Sequence, residues 1–382
     1  MKASFRLGRI AGVPVGVNWS VLVIFVLIAW ALSASQFPAA YPGHPWWAYA
    51  LAGVSAAVVF FVGLLAHEVS HSVVAKRNGL PVQGITLWLF GGVSELGGEA
   101  RSPGAELRIA GVGPLVSMLL GMAFGVLAAG LALAGERGLL FGTFAWLAAI
   151  NVILAVFNVL PAAPLDGGRL LRAALWKLHG DRNRAAVTAA RAGRFLGALL
   201  IAFGLWRLFT GAAVGGLWLA LIGWFLIGAA GVEERQARLG GTLAGVRVRD
   251  VMTPGPQTVT ADVTVADFVG HHLFAYRHSA LPIVADDRPV GLVTLDRVRQ
   301  VAAERRDGTR LGDVACRSDE LVLADPEEML VDLLPRLNDC ADGRALVVSG
   351  GHLVGIVSPS DISRAVQRGS LREWMAHRPP AA

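Results

Sequence analysis

Hydrophobic positions fall in long, nearly unbroken blocks up to about residue 232 and in short runs broken by charges after it. Four blocks, 17–34, 47–76, 105–134 and 139–160, approach or exceed the ~20 apolar residues that a helix needs to cross a bilayer. Two more, 195–209 and 214–231, are separated by Thr210-Gly211, which predicts a tight helical pair. The pattern predicts six spans with both chain ends on one side. Between the second and third blocks the period changes. Ile85-Thr86-Leu87-Trp88-Leu89-Phe90 is rich in strand formers, Gly91-Gly92 is a turn, and Val93-Ser94-Glu95-Leu96 returns. This segment is too short to span, and predicts a small hairpin covered by protein or else a plain cytoplasmic loop. After the fourth block Pro161 and Pro164 stop the helix, and a short helix over 168–179 carries Arg169, Arg172 and Lys177.

The tail repeats itself. Arg249-Asp250-Val251-Met252, Pro282-Ile283-Val284 and Gly291-Leu292-Val293-Thr294 recur as Gly312-Asp313-Val314, Ala345-Leu346-Val347-Val348 and Gly355-Ile356-Val357-Ser358. Asp313 lies 63 residues after Asp250, and Gly355 lies 64 after Gly291, so one unit is used twice. Each half reads as a short strand, a helix, two strands and a final helix. The expected fold class is a polytopic α-helical membrane domain, with six transmembrane helices and a small membrane-associated β-hairpin, followed by an α/β tandem domain. The expected boundaries are 1–232 for the membrane domain, 233–245 for a linker, 246–303 and 308–368 for two modules, and 369–382 for a tail.

Composition supports that division. The 382 residues are 54% hydrophobic and 16% charged, with a mean hydropathy of +0.55, too apolar for one soluble domain. The net charge of +6 comes from arginines clustered in short loops between blocks, where they set topology; nucleic-acid binding is not expected. Lys2, Arg6 and Arg9 precede the first block without an acid. They place the N-terminus, and with it the tail, in the cytoplasm of a multi-pass cell-membrane protein. The same start, with Ser33-Ala34-Ser35 after an apolar stretch, also has the parts of a cleavable signal, but the stretch is long for a signal core. Cys316 and Cys340 form no C-x-x-C pair, give no sign of a disulfide framework and suit a reducing cytoplasm.

The chemistry sits in the second block, at His67-Glu68-Val69-Ser70-His71, an H-E-x-x-H. On a helix, positions i and i+4 share a face, so both imidazoles can reach one ion. Neutral imidazole is a good zinc ligand. Glu68 can reach a water on an open coordination position and act as its general base. Ionisable side chains at membrane depth are costly, and three in five residues are hard to explain as packing. Two histidines leave such a site without its third ligand. Asp166, in Leu165-Asp166-Gly167-Gly168, is an acid at the end of an apolar segment on the same side of the membrane. It also suits the N-cap of the following helix; the incomplete two-histidine site favours the metal role.

The tail resembles a pair of cystathionine-β-synthase (CBS) modules, whose ribose-binding pattern is Ser/Thr, two residues, then Asp. The second module keeps it as Ser358-Pro359-Ser360-Asp361; in the first, Thr294 is followed by Asp296 at +2 and Arg297 at +3. The resemblance implies ATP or AMP at Ser358, Asp361 and Thr294, or a scaffold through which a homodimer forms. Residues 1–231 resemble the site-2 protease family of intramembrane zinc metalloproteases, in its six-helix bacterial and archaeal branch. The motifs occur in order: Gly12-Val13-Pro14-Val15-Gly16-Val17-Asn18-Trp19-Ser20, the H-E-x-x-H, Gly113-Pro114, and the N-x-x-P…LDG segment from Asn158 to Arg169. This implies one zinc ion per chain on His67, His71 and Asp166, with Glu68 activating water. It further implies a substrate held by the Asn158 amide and by the strand edge around Gly91 and Gly92. That substrate is a single-span or membrane-tethered protein, such as an anti-sigma or pro-sigma factor, which must unwind to expose its carbonyls. A transporter or channel gated by a CBS pair is the competing reading. It predicts further intramembrane charges along a path, and few stand outside the zinc set.

Overall fold

The computed structural model describes residues 4–88, 91–96, 98, 100–211, 213–272, 279–285, 287–337 and 340–376. The chain divides into two compact units, 1–237 and 238–382. Among the described residues, six helices are long and apolar enough to cross a membrane. They are α1 (Ser20–Ala40), α2 (Trp46–Arg77), α3 (Pro103–Leu133), α4 (Leu139–Val159), α6 (Arg182–Phe209) and α7 (Ala213–Thr242). The short helix α5 (Asp166–His179) stands between α4 and α6.

Three bounds differ from those expected. The first span passes through a π turn, Leu32–Gln36, and continues over Phe37–Ala40, beyond the 17–34 block. The basic stretch before residue 195 is helical. The Asp181 side chain accepts from the Arg184 N–H at 3.0 Å, capping α6, and Ala185, Ala189, Ala190 and Gly193 are buried while Arg184 and Arg191 face outward. At the other end α7 continues through the expected linker to Thr242. No proline or glycine interrupts it between Val232 and Leu239, and the buried Glu234 is paired with Arg191 and Arg194.

The spans present large side chains outward and small ones to each other. Trp30, Phe195, Phe209 and Trp224 are all more than half exposed. Lipid is as apolar as these residues, so close backbone packing replaces the hydrophobic effect between spans. Helices α6 and α7 show it best. A β carbon on Gly204 would stand 2.5 Å from the Gly216 carbonyl oxygen and 2.7 Å from the Ala220 nitrogen, and one on Gly197 2.7 Å from the Gly223 carbonyl oxygen. Gly204→Ala is therefore expected to part the helices at a cost of about 1–3 kcal/mol. A lower thermal midpoint of the detergent-solubilised chain would show it.

Beside the spans lies a sheet of order β1-β2-β3-β4, formed by Phe5–Ile10, Val13–Val17, Val82–Trp88 and Gly91–Leu96. The expected hairpin is its β3–β4 half. Trp88 pairs with Gly91, so the connection lies at 89–90, outside the described residues, and Gly91 and Gly92 open β4 rather than form the turn. Strands β2 and β3 pair in parallel, Val15 with Ile85, because β2 leads into the start of α1 and β3 leaves the end of α2, which lie at one side of the bundle. Val13, Val15 and Ile85 pack on Leu65 and Val69 of α2, fixing the sheet against the H-E-x-x-H helix.

In the second unit two sheets exchange their short edge strands. β5 (Thr253–Pro254), from the first repeat, pairs with β11 (His352–Val357) of the second. β8 (Cys316–Arg317) pairs with β7 (Arg288–Thr294) of the first. The repeats thus do not each close their own sheet, as a linear reading expects. This exchange also brings Cys316 to Cys340. They form a disulfide with Cα atoms 5.7 Å apart, where the absence of a C-x-x-C pair had given no sign of one.

Candidate metal centre

Helix α2 places His67 and His71 one turn apart on its buried face, 2% and 5% exposed. Asp166 opens α5 and reaches both: its Oδ2 stands 3.1 Å from each Nε2, and the two Nε2 atoms are 3.2 Å apart. Asp166 does not cap α5. The N-cap position is Leu165, and no side-chain cap bond is made. Glycines hold the carboxylate in place. β carbons on Gly167 and Gly168 would stand 2.1 Å from the Leu160 carbonyl oxygen and 2.3 Å from the Ala163 nitrogen. The turn between α4 and α5 can fold that tightly only without side chains.

Helix α3 orients the imidazoles. His71 Nδ1 lies 2.6 Å from the Ile109 carbonyl oxygen, an atom that only accepts, so Nδ1 carries the proton and Nε2 is left with a bare lone pair. His67 Nδ1 lies 2.9 Å from Ser117 Oγ, which can accept in the same way. Three lone-pair donors therefore converge on one small volume. They need a cation between them, or a shared proton in its absence. Two neutral imidazoles and one carboxylate make a donor set suited to zinc.

Glu68 lies outside this triad, against β4. A β carbon on Gly92 would stand 2.2 Å from Glu68 Cγ, and Glu68 is hydrogen-bonded to the Gly92 backbone. Gly91 has φ +132°, which L side chains rarely adopt. The outer edge of β4 pairs with no strand among the described residues. Asn158 is half-buried in the last turn of α4. The structure brings His67, His71 and Asp166 together with Glu68 beside them; Ser117, Ile109 and the role of Gly113 were not foreseen from the sequence. A β carbon on Gly113 would stand 2.2 Å from His71 Nε2 and 2.6 Å from His67 Nε2. The only sequence signal for these was Gly113-Pro114 in the third block.

The CBS residues lie apart from this cluster in the chain. Asp361 is 3% exposed and accepts from the Ser358 N–H at 2.9 Å, from Thr253 Oγ1 at 3.2 Å and from Arg364. Ser358 Oγ in turn accepts from the Asp361 N–H, so the pattern also caps the last helix, α8 (Pro359–Ala376). A cavity of about 180 Å³ beside it is lined by Asp361, Arg364, Arg368 and Asp250. In the first module Thr294 is buried, and Arg297 stands where a ribose carboxylate is expected, donating to the carbonyls of Cys340 and Val314.

Known proteins match along nearly the whole chain. The model of peptidase family M50 matches residues 55–135 and 132–201, and that of the CBS domain residues 248–304 and 311–368. A Mycobacterium tuberculosis protein provisionally named zinc metalloprotease Rip3 is 46% identical over 368 residues, covering 96% of this chain and 93% of that one. The zinc metalloprotease MJ0392 of Methanocaldococcus jannaschii is 28% identical over 373 residues, covering 98% and 99%. The solved site-2 protease from that organism is 29% identical, covers 60% of this chain and 95% of its own, and has a TM-score of 0.43. The chain belongs to peptidase family M50, the site-2 proteases: it is a multi-pass membrane zinc metalloprotease with two CBS domains.

Proposed function

We propose that this protein is an intramembrane endopeptidase that cuts single-span or membrane-tethered proteins, with its N-terminus and CBS unit in the cytoplasm. The observation that carries the reading is the place of His67 and His71 within α2, a helix long and apolar enough to cross a membrane. His71 and His67 lie six and ten residues from the end of α2, about 9 and 15 Å along its axis. A peptide bond that reaches them is one drawn from within the bilayer.

A zinc ion held by His67, His71 and Asp166 would supply a Lewis acid and make a water more acidic. Glu68, beside the two histidines, is the group placed to take a proton and return it to a departing amide nitrogen. Ser117 and the Ile109 carbonyl keep both Nε2 atoms turned inward throughout. The open edge of β4 can add an unwound substrate segment as a further strand, with Gly91 and Gly92 letting its backbone come close. Asn158 offers an amide to the same backbone. Anti-sigma or pro-sigma factors tethered by one span are the substrate class. Adenine nucleotide would enter at Ser358 and Asp361 of the second module, with Arg364 and Arg368 facing its phosphates. Arg297 closes the corresponding place in the first.

The reading is tested in cells carrying the wild-type or the Asp166→Ala chain. Mass spectrometry should find full-length single-span proteins accumulating in the variant, and fragments ending inside their apolar segments only in the wild type. Identical membrane-protein profiles in the two strains would refute the assignment.

A further inference from the structure

We infer that Glu106 and Arg172 form a positioning pair that sets Asp166 against the two histidines, an inference that rests on Asp166 being a metal ligand. Glu106 lies in the first turn of α3 and is fully buried. Arg172, six residues after Asp166 on α5, donates its Nε–H to Glu106 Oε1 at 2.7 Å and a second N–H to the same oxygen. Arg182, at the start of α6, places its Nε 4.0 Å from the other carboxylate oxygen. One buried anion thus draws two cations from successive helices onto α3.

An ion pair is a poor choice for bare adhesion here. Removing a carboxylate from water costs several kcal/mol, and an apolar pair of equal volume often holds two helices as well or better. What the pair adds is register. A planar guanidinium accepts only a narrow range of approach angles, whereas apolar contacts such as Leu170 against Gly111 tolerate sliding. Register is what Asp166 needs. A slip of one residue turns a helix by about 100° and shifts it by about 1.5 Å, enough to take Oδ2 out of its 3.1 Å reach of both histidines. Helix α5 has no side-chain cap of its own to resist this. Glu106 also stands one turn before Ile109, whose carbonyl holds His71. A single helix, α3, therefore fixes all three ligands: His67 through Ser117, His71 through Ile109, and Asp166 through the Glu106–Arg172 pair.

The test uses the full-length protein in detergent. Its readouts are zinc affinity by chelator competition and the visible absorption of the cobalt-loaded form, which reports ligand geometry. Arg172→Lys keeps the charge but loses the fork; Arg172→Met loses both; Arg184→Met, in the exposed pair with Asp181, is the control. Both Arg172 variants are expected to bind zinc about 10–100-fold more weakly and to show an altered cobalt spectrum, with the control unchanged. A lower thermal midpoint together with native affinity and a native spectrum would mean a merely structural pair and would overturn the inference. If Arg172→Met does not fold, Arg172→Lys decides. Asp166→Ala is measured alongside. Native affinity in that variant removes the ligand assignment itself, whereas a loss there with none in the Arg172 variants removes only the positioning pair.

Discussion

Glu68→Gln is expected to bind zinc as tightly as the wild type while hydrolysing its substrates about 10²–10⁴-fold more slowly. Both halves follow from where Glu68 lies. It is not among the atoms that converge between His67, His71 and Asp166, so the donor set survives the change. Glutamine has the same shape, fits the same gap against Gly92, and keeps a side-chain oxygen able to accept from that backbone. What it loses is the capacity to take a proton, the one task assigned to Glu68. Metal analysis of the purified variant beside a turnover assay separates the two. If zinc is lost along with activity, Glu68 is a ligand and not the base; if activity persists, another group takes the proton.

Gly113→Ala should remove zinc without touching any ligand. The added methyl would stand 2.2 Å from His71 Nε2 and 2.6 Å from His67 Nε2, well inside the contact distance of nonbonded atoms. The imidazoles cannot yield by a few tenths of an ångström, because His71 is held behind by Ile109 and His67 by Ser117. They must rotate out, and the three donors no longer converge. The fall in zinc affinity is expected to exceed the roughly hundredfold upper range of outer-shell changes. The apo fold should suffer far less, since alanine is about 1 kcal/mol better than glycine inside a helix and offsets part of the strain. Chelator competition and a thermal melt of the metal-free protein check the two statements. Native zinc affinity would show that the helices part readily enough to admit a methyl group.

The parts legible in the sequence were those written in local spacing. The H-E-x-x-H needs only a helix to bring His67 and His71 together, and the long apolar blocks predict that helix. Asp166 was reachable because two histidines leave a site short and few other acids lie at membrane depth. Strands β1 and β2 were not legible. Phe5–Ile10 is broken by Gly8, where the register also shifts, and Val13–Val17 contains a proline and a glycine. The pairing of β2 with β3 depends on residues about seventy positions away. The continuation of α7 to Thr242 was missed because charges were taken to end the span; Arg191 and Arg194 pair with Glu234 and let the helix run on. Ser117 and the Ile109 carbonyl leave no chemical signature in a sequence, one being a common small residue in a span and the other a backbone atom. Arg172 read only as one of the basic residues on the short helix and Glu106 drew no reading; their pairing in the fold gives both another meaning.

The turn that presents Asp166 has a topological consequence. With an ion joining His71 to Asp166, the 94 residues between them become a closed ring through a metal bond. That ring encloses β3, β4, α3 and α4. Its closure restricts the unfolded chain more than a bond between sequence neighbours does. A break in the backbone at the short Gly135–Gly138 connection would leave the two pieces tethered as long as the ion stays. Metal capture therefore acts as a clasp on the middle of the chain, and chelation would release two transmembrane helices from that constraint at once.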